Sequence, residues 1–519
     1  MELHLDRSLK TPLYLQIRNQ IRQLILANEL SPGFRLPPER KFASTLGVNR
    51  TTIVNAYHEL EADGLIQSHV GKGTIVSSSL SSTDRFFDHL SGIEDNYGLL
   101  PTPVQPMSWQ NFYSRQSERM YNPVLASILT EIGEEDQISF ALGSPAGEYF
   151  PLEEFSQIGQ QVISSGNWQA FEYGPTMGHY PLREYIATWL AQRGIHTQAE
   201  RVMILSGSQQ GLDLLAKVFL EPGDYIVMEE PSFLGAIGVF KAAGARILTV
   251  PMDQEGLRTD LLEQILARHR PKFIYTLPTF QNPSGHKMSL SRRQELLRLA
   301  YQYHIPIVED DPYSELYYEG KLSPSLKSLD EHEHVIYLGT FSKILFPGLR
   351  LGWCVAPPSV LEHLTLAKQH VDLHTSTTTQ WMMTEFCQQG LLDQHLIKVR
   401  NHYRIQRDTM VSALTKLAPS GLTWSVPEGG YYLWCELPPG MKAATLLTKA
   451  AEKKITFVPG NAFFINPGGT DRIRLCFSRH PEATILEGIR RLCEAITEIL
   501  IQPRPKDKTN RPLFNNPLV

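Results

Sequence analysis

Long apolar runs are missing from this chain of 519 residues. A helix needs about 20 consecutive apolar residues to cross a bilayer; no stretch supplies them, so no membrane partner is expected. Cysteine is scarce too: Cys354, Cys387, Cys435, Cys476 and Cys493 form no CxxC pair and sit in apolar or amphipathic contexts. That pattern excludes a disulfide framework and a zinc site, and no metal is expected. The start, Met-Glu-Leu-His-Leu-Asp, lacks the basic and apolar regions of a secretory leader, which makes the cytoplasm the expected compartment. Charge of one sign is also lacking. A net charge of −5 speaks against a protein that coats nucleic acid over its whole surface. Residues 1–76, with nine Lys/Arg against seven Asp/Glu, carry a local basic excess that supports DNA binding only if a motif does.

What is present divides the chain. Residues 11–28 offer Thr11 as an N-cap, Pro12 at the first helical position, and Leu13, Ile17, Leu24 and Ile25 along one stripe, the pattern of an amphipathic helix. A Ser31-Pro32-Gly33 turn leads to a second helix over 38–46, ended by Gly47. Asn49 caps a third over 50–63, and short strands at 65–68 and 74–76 flank Gly71-Lys72-Gly73. Three helices followed by a hairpin predict a winged helix-turn-helix within 1–76. Residues 77–106, opening with serines and carrying Pro101, Pro103 and Pro106, read as a linker with one short helix near 84–90. Residues 107–500 are globular again, and the polar, proline-rich 501–519 is expected to be a disordered tail.

Within 107–500, strands at 202–205, 225–229, 246–250, 273–276, 306–309, 335–339 and 352–355 are mostly separated by helix-length patterns. This predicts an α/β fold, a mainly parallel sheet with helices on both faces. Ligands of such sheets bind beyond the carboxyl ends of the strands, and several chemically loaded segments fall there. Ser206-Gly207-Ser208-Gln209-Gln210 turns from the first strand into a helix, where unpaired N–H groups and the helix dipole suit a phosphate. Such a turn by itself is more often a plain connection. Phe233 follows the second strand, where a flat ring can stack on another; alone it would pass for a core residue. Asn282-Pro283-Ser284-Gly285 follows the fourth strand, Asp310 and Tyr313 the fifth, and Lys343 the sixth.

In this order the segments resemble the aminotransferase class I/II family of fold-type I pyridoxal-phosphate (PLP) enzymes. The resemblance covers roughly 107–500 and rests on Tyr173-Gly-Pro, the Gly207-Ser-Gln turn, Asn282-Pro-Ser-Gly, Asp310-Asp-Pro-Tyr313, the Ser-Lys343 loop with Arg350 seven residues on, and Arg474 in Ile-Arg-Leu-Cys-Phe-Ser. It implies the PLP-dependent transferase fold type I with a small C-terminal α+β subdomain. It also implies Lys343 as the Schiff-base lysine, Asp310 as partner of the pyridinium nitrogen, and Asn282 and Tyr313 as donors to the ring's phenolic oxygen. Gly207, Ser208, Thr340, Ser342 and Arg350 are then the phosphate ligands, with Gln209 and Phe233 in the same shell, and Tyr173 reaches the phosphate from the second subunit of a homodimer. Arg474 matches the family's carboxylate-binding arginine, with Gly143 and Asn282 lining the same pocket, which implies an amino acid or related small amino compound as ligand.

Leu36-Pro-Pro-Glu39-Arg40 and Gly47-Val-Asn-Arg50-Thr51-Thr52 resemble the GntR winged-helix family. The resemblance implies a double-stranded DNA operator as partner: Arg50, Thr51 and Thr52 enter the major groove while Arg40 and Lys72 hold the backbone. Val54 departs from the pattern, because many members carry a basic residue there, and this leaves the operator open. A GntR head on an aminotransferase-like body resembles the MocR-type regulators. That implies a cytoplasmic transcription regulator, nucleoid-associated on DNA, with the Lys343 site as its sensor. A working aminotransferase for an α-amino acid, with an accessory DNA-binding head, is the other reading the retained residues leave open.

Overall fold

The computed structural model describes residues 12–26, 30–31, 33–62, 65–69, 73–76, 109–120 and 137–501, together with Leu3 and Leu5. The expected N-cap Thr11, the linker 77–106 with its short helix, the hairpin tip with Lys72, and the tail from 502 onward lie outside the described residues. The chain divides into two units, Met1–Met107 and Ser108–Val519.

In the first unit the order is α1 (Leu13–Leu26), α2 (Glu39–Leu46), α3 (Arg50–Ala62), β1 (Ile66–His69) and β2 (Gly73–Val76). Ile17, Ile21 and Ile25 of α1 share one buried core with Ile53, Ala56 and Leu60 of α3. Helix α2 ends where Gly47 takes φ 62°, a left-handed conformation that suits glycine. Val48 then donates its N–H to the Ala43 carbonyl at 3.0 Å. Asn49 starts α3, its Oδ1 accepting the Thr51 N–H at 3.2 Å. Tyr57 Oη donates to the Pro37 carbonyl at 2.8 Å and ties α3 to the segment before α2. One element goes beyond the sequence reading: Val76 N–H meets the Phe34 carbonyl and Leu36 N–H the Thr74 carbonyl, both at 2.9 Å, so 34–36 pairs with β2. Three residues between a turn and Pro37 are too few to show a period of two.

The second unit has a short 3-10 turn (Trp109–Phe112) and a helix (Arg115–Met120) before β3 (Ile138–Ser139). Its main sheet is built from β4 (Val202–Leu205), β5 (Tyr225–Glu230), β6 (Arg246–Asp253), β7 (Gly256–Leu257), β8 (Ile274–Thr276), β9 (Ile307–Asp311), β10 (Val335–Thr340) and β11 (Gly352–Val355). Their order across the sheet is β4-β11-β10-β9-β8-β5-β6-β7. Strands β6, β5, β8, β9 and β10 run parallel to one another, whereas β7 is antiparallel to β6 and β11 is antiparallel to both β10 and β4. Every residue of β4, β9, β10 and β11 is buried; β4 reads accordingly as a continuous apolar run, whereas β9 ends in the buried acids Glu309, Asp310 and Asp311.

A second, antiparallel sheet carries β12 (Thr423–Trp424), β13 (Tyr432–Glu436), β15 (Val458–Pro459) and β16 (Arg472–Cys476), in the order β12-β13-β16-β15, while β14 (Ile455–Thr456) pairs in parallel with β3. That pairing draws the chain after β3 alongside β16, where Cys476 donates its N–H to the Phe140 carbonyl at 2.9 Å. The five cysteines are buried and unpaired. Among the described residues no helix is long and apolar enough to cross a membrane.

The loop after β10 rests on Trp353 of β11, whose ring lies 4.8 Å from Phe341 and edge-on to Trp189 at 5.8 Å. Gly339, opposite Trp353 in register, makes room for it, since a Cβ there would fall 2.3 Å from ring carbons. Gly339→Ala is therefore expected to cost about 1–3 kcal/mol by overpacking, read as a lower urea midpoint of the whole chain; an unchanged midpoint contradicts this packing.

Candidate functional site

The carboxyl ends of β4, β5, β8, β9 and β10 open into a cavity of about 880 Å³. Lys343 stands in the loop after β10. The loop is held from within: Thr340 Oγ1 donates to the Leu351 carbonyl at 3.2 Å and accepts the Ser342 N–H at 3.1 Å. Lys343 Nζ donates to the Gly143 carbonyl at 2.6 Å, and Tyr431 Oη donates to the Lys343 carbonyl. Burial pulls the Lys343 amine down from its ordinary value to about 8; nearby Cys476 and Asp310 oppose the fall, while the Arg474 and Arg350 cations assist it. Gly143 is required where it stands, because a Cβ would sit 1.8 Å from Tyr432 Oη.

Asp310, near the end of β9, is buried. Its Oδ2 accepts from Tyr275 Oη at 2.8 Å, and its Oδ1 is buried without a hydrogen-bond partner among the described residues. Burial pushes the carboxyl up to about 7, against the Tyr275 hydrogen bond. Tyr313 Oη lies 2.9 Å from Tyr432 Oη. Arg474, on β16, donates from Nη1 to Asn282 Oδ1 at 2.8 Å and from Nη2 to the Ala141 carbonyl. Its guanidinium lies over the Tyr432 ring at 4.2 Å and the Phe463 ring at 4.9 Å, and Nε is buried without a partner among the described residues.

At the end of β4 the chain turns through Gly207, φ 88°, into the helix Ser208–Phe219, which has no side-chain cap. Its first N–H groups therefore keep the unmet capacity that attracts anions. Arg350 completes the cradle: Nη2 donates to the Ser206 carbonyl at 3.1 Å, and a Cβ on Gly207 would meet the guanidinium at 2.7 Å. Phe233 precedes the helix Leu234–Ala242 with its ring over Gly235, where a Cβ would fall 2.5 Å from the ring; Gln209 Nε2 donates to the Gly235 carbonyl at 3.4 Å. Gly143, Ser208, Gln209, Phe233, Asn282, Asp310, Tyr313, Thr340, Ser342, Lys343, Arg350 and Arg474 all line the one cavity. An unmatched buried carboxylate oxygen, a glycine-made anion cradle and an amine of lowered pKa fit the ring nitrogen, the phosphate and the aldehyde of PLP.

Tyr173 stands apart. It is 78% exposed, does not line the cavity, and meets His374 edge-on at 5.7 Å. Sequence reasoning missed Tyr275, Tyr431, Tyr432 and Phe463, which lie in or beside strands where aromatics pass for core; the Gly429-Gly430 pair before β13 was the available signal of close packing. In the first unit Arg40, Arg50 and Thr51 are exposed and Thr52 is half-buried. Arg50 is not idle: Nε and Nη2 both donate to Glu39 Oε2, at 3.2 and 2.9 Å. Among the described residues no group of three or more His, Cys, Asp or Glu is placed to hold a metal ion.

Residues 135–492 match the family described as aminotransferase class I and II, and residues 13–76 match bacterial regulatory proteins of the gntR family. The HTH-type transcriptional regulator YdfD of Bacillus subtilis is 31% identical over 94% of this chain and 97% of its own length. The probable rhizopine catabolism regulatory protein MocR of Rhizobium meliloti is 28% identical over 95% of each. Among solved structures, the α-aminoadipate aminotransferase LysN of Thermus thermophilus, complexed with N-(5'-phosphopyridoxyl)-L-leucine, superposes with a TM-score of 0.72 at 39% identity, covering 76% of this chain and 99% of that one. A gntR-type head and a class I and II aminotransferase body in a single chain, matched end to end by regulators, place this protein in the family of MocR-type transcriptional regulators.

Proposed function

We propose that this PLP-dependent transcriptional regulator senses a small amino compound, an amino acid or related amine, in the Lys343 cavity and thereby controls how its head binds an operator. The observation that carries the reading is one chain holding both a capped, solvent-facing recognition helix and a pocket with an unmatched Asp310 oxygen beside a lysine of lowered pKa. When bound, PLP supplies an aldehyde that condenses with primary amines and a ring that withdraws electrons. The chain's own residues do the rest. Lys343 anchors the cofactor and moves protons at its Nζ; Asp310 holds the ring nitrogen protonated; Asn282 and Tyr313 turn toward the ring's phenolic oxygen; Phe233 covers its face. Gly207, Ser208, Gln209, Thr340, Ser342 and Arg350 surround the phosphate, with Thr340 acting mainly by bracing the loop. Arg474 takes the ligand carboxylate with the N–H capacity left on its guanidinium, beside Gly143 and Asn282. A ligand can shift DNA binding by no more than its differential affinity for two states, typically about 1–3 kcal/mol.

The active form is a homodimer in which Tyr173 serves the neighbouring subunit's phosphate site. Exposed Trp168, Phe171, Tyr173 and Leu373 support it, since a cluster of uncovered aromatics marks an interface. Transamination of an α-amino acid is a second activity that the same lining favours, because Lys343, Asp310 and Arg474 border one cavity.

On the DNA side Arg50 exchanges Glu39 for its target. A half-exposed ion pair is worth about 0–1 kcal/mol and a bidentate guanine contact about 1–3 kcal/mol, so a cognate base favours the exchange. Arg50→Ala is expected to weaken operator binding by about 1–3 kcal/mol with a much smaller effect on unrelated DNA; equal losses on both in gel-shift titrations would make Arg50 a phosphate contact. Lys343→Ala should abolish visible cofactor absorbance and the response of DNA binding to amines while basal operator binding persists, and regulation that survives the change in cells would sink the sensor reading. The neutral amine is the nucleophile, so uptake of PLP by the apo protein should speed up as pH rises and level off just above about 8. A rate still climbing past pH 10 would show an ordinary lysine.

A further inference from the structure

Beside the Ser206–Gln210 turn lies an ion pair, its lysine fully buried and its aspartate partly so, that does not line the cavity. Lys368, with a side chain of 0% exposure, donates from Nζ to both oxygens of Asp372, at 2.8 and 2.9 Å. Asp372 Oδ2 also accepts from Ser206 Oγ at 2.9 Å and from Gln210 Nε2 at 2.6 Å. Gln210 Oε1 closes the loop, accepting the Ser206 N–H at 2.8 Å and Lys368 Nζ at 3.1 Å. Thr375 Oγ1 joins as acceptor from Lys368 at 3.1 Å and lies 3.1 Å from Ser206 Oγ.

This arrangement is not a generic surface pair. Asp372 is the last residue of the helix Pro358–Asp372, where the negative end of the dipole disfavours a carboxylate. Burial also pushes its pKa up, yet the hydrogen bonds from Lys368, Gln210 and Ser206 outweigh that and hold it below its ordinary value. The next residue, Leu373, takes φ 60° and ψ −59°, a backbone conformation that a side chain disfavours. The His374 N–H reaches back to the Asp372 carbonyl at 2.6 Å, and this sharp turn returns Thr375 to the network. Ser206, at its centre, is also the residue whose carbonyl receives Arg350.

We propose that Lys368 and Asp372 are positioning residues for the cofactor phosphate. They fix the Ser206–Gln210 turn, whose inner N–H groups, from Gly207 to Gln209, bind the anion with Arg350, and so set how strongly the protein prefers PLP to pyridoxal, which lacks the phosphate. The inference rests on the cofactor assignment above. A rigid turn presents its donors already oriented, whereas a loosened one must be ordered on binding at a cost in affinity; only a ligand with a phosphate meets that cost.

The test is titration of the full apo chain with PLP and with pyridoxal, followed by visible absorbance, for the parent protein, Lys368→Met, Asp372→Asn and the double variant. In each variant the Kd for PLP is expected to rise about 10- to 100-fold, the scale of outer-layer partners at other ligand sites, while the Kd for pyridoxal stays within about twofold and the position of the visible band is unchanged. Equal loss of both affinities would reduce the pair to general structure and overturn the proposal, as would no change in either. The double variant leaves no buried charge unpaired and carries the same test should a single change unfold the chain. A parent protein that captures neither compound would instead overturn the cofactor assignment.

Discussion

Burying a carboxyl is costly unless its oxygens are matched, and this body is organised around one that the chain matches only by half. Asp310 cannot turn away from the problem: β9 is paired on both sides, with β8 and β10, so its backbone has no freedom to carry the side chain to water. Tyr275 satisfies one oxygen from the neighbouring strand and nothing described in the chain satisfies the other. A protonated ring nitrogen, such as PLP carries, would match the second oxygen and offset that cost. Lys343, Ser208 and Arg350 stand at the same edge because the strand ends converge there, and Arg474 lines the same cavity from β16 of the second sheet.

Much of this was legible in the sequence, for physical reasons. Several strands, Val202–Leu205 above all, announce themselves because a sheet covered on both faces favours apolar runs, and polar residues gather at the carboxyl ends of others. Less visible were groups whose roles depend on distant partners. Lys368 and Asp372 have the spacing of an ordinary surface helix pair, and only the fold shows that Ser206 and Gln210 close over them. Tyr275 and Tyr432 look like strand aromatics until Asp310 and Tyr313 are placed beside their hydroxyls. The Arg50–Glu39 pair spans a helix and a turn, a separation no periodicity flags. The reversed direction of β11 was equally hidden, since an apolar run does not state its polarity.

Sensing and catalysis draw on the same lining, and they differ in what must follow binding. A catalyst must release its product, and a sensor must hold its ligand long enough to bias a second equilibrium. The body superposes on an aminotransferase at 39% identity, while a relative 31% identical over 94% of the chain is named an uncharacterized HTH-type transcriptional regulator. One fold thus carries proteins named for two different uses, as expected when function resides in a site and the fold only presents it.

The Glu39 carboxylate has a further consequence for the head. Being tethered, it competes for Arg50 at an effective concentration on the order of millimolar or above, whatever the DNA offers. A stray phosphate replaces one anionic oxygen with another and gains little, whereas a guanine edge supplies two acceptors in the plane of the guanidinium. If Arg50 reads a base, as proposed above, the pair is an internal competitor that would leave chance encounters along the duplex short-lived and let the arginine commit where the base is right.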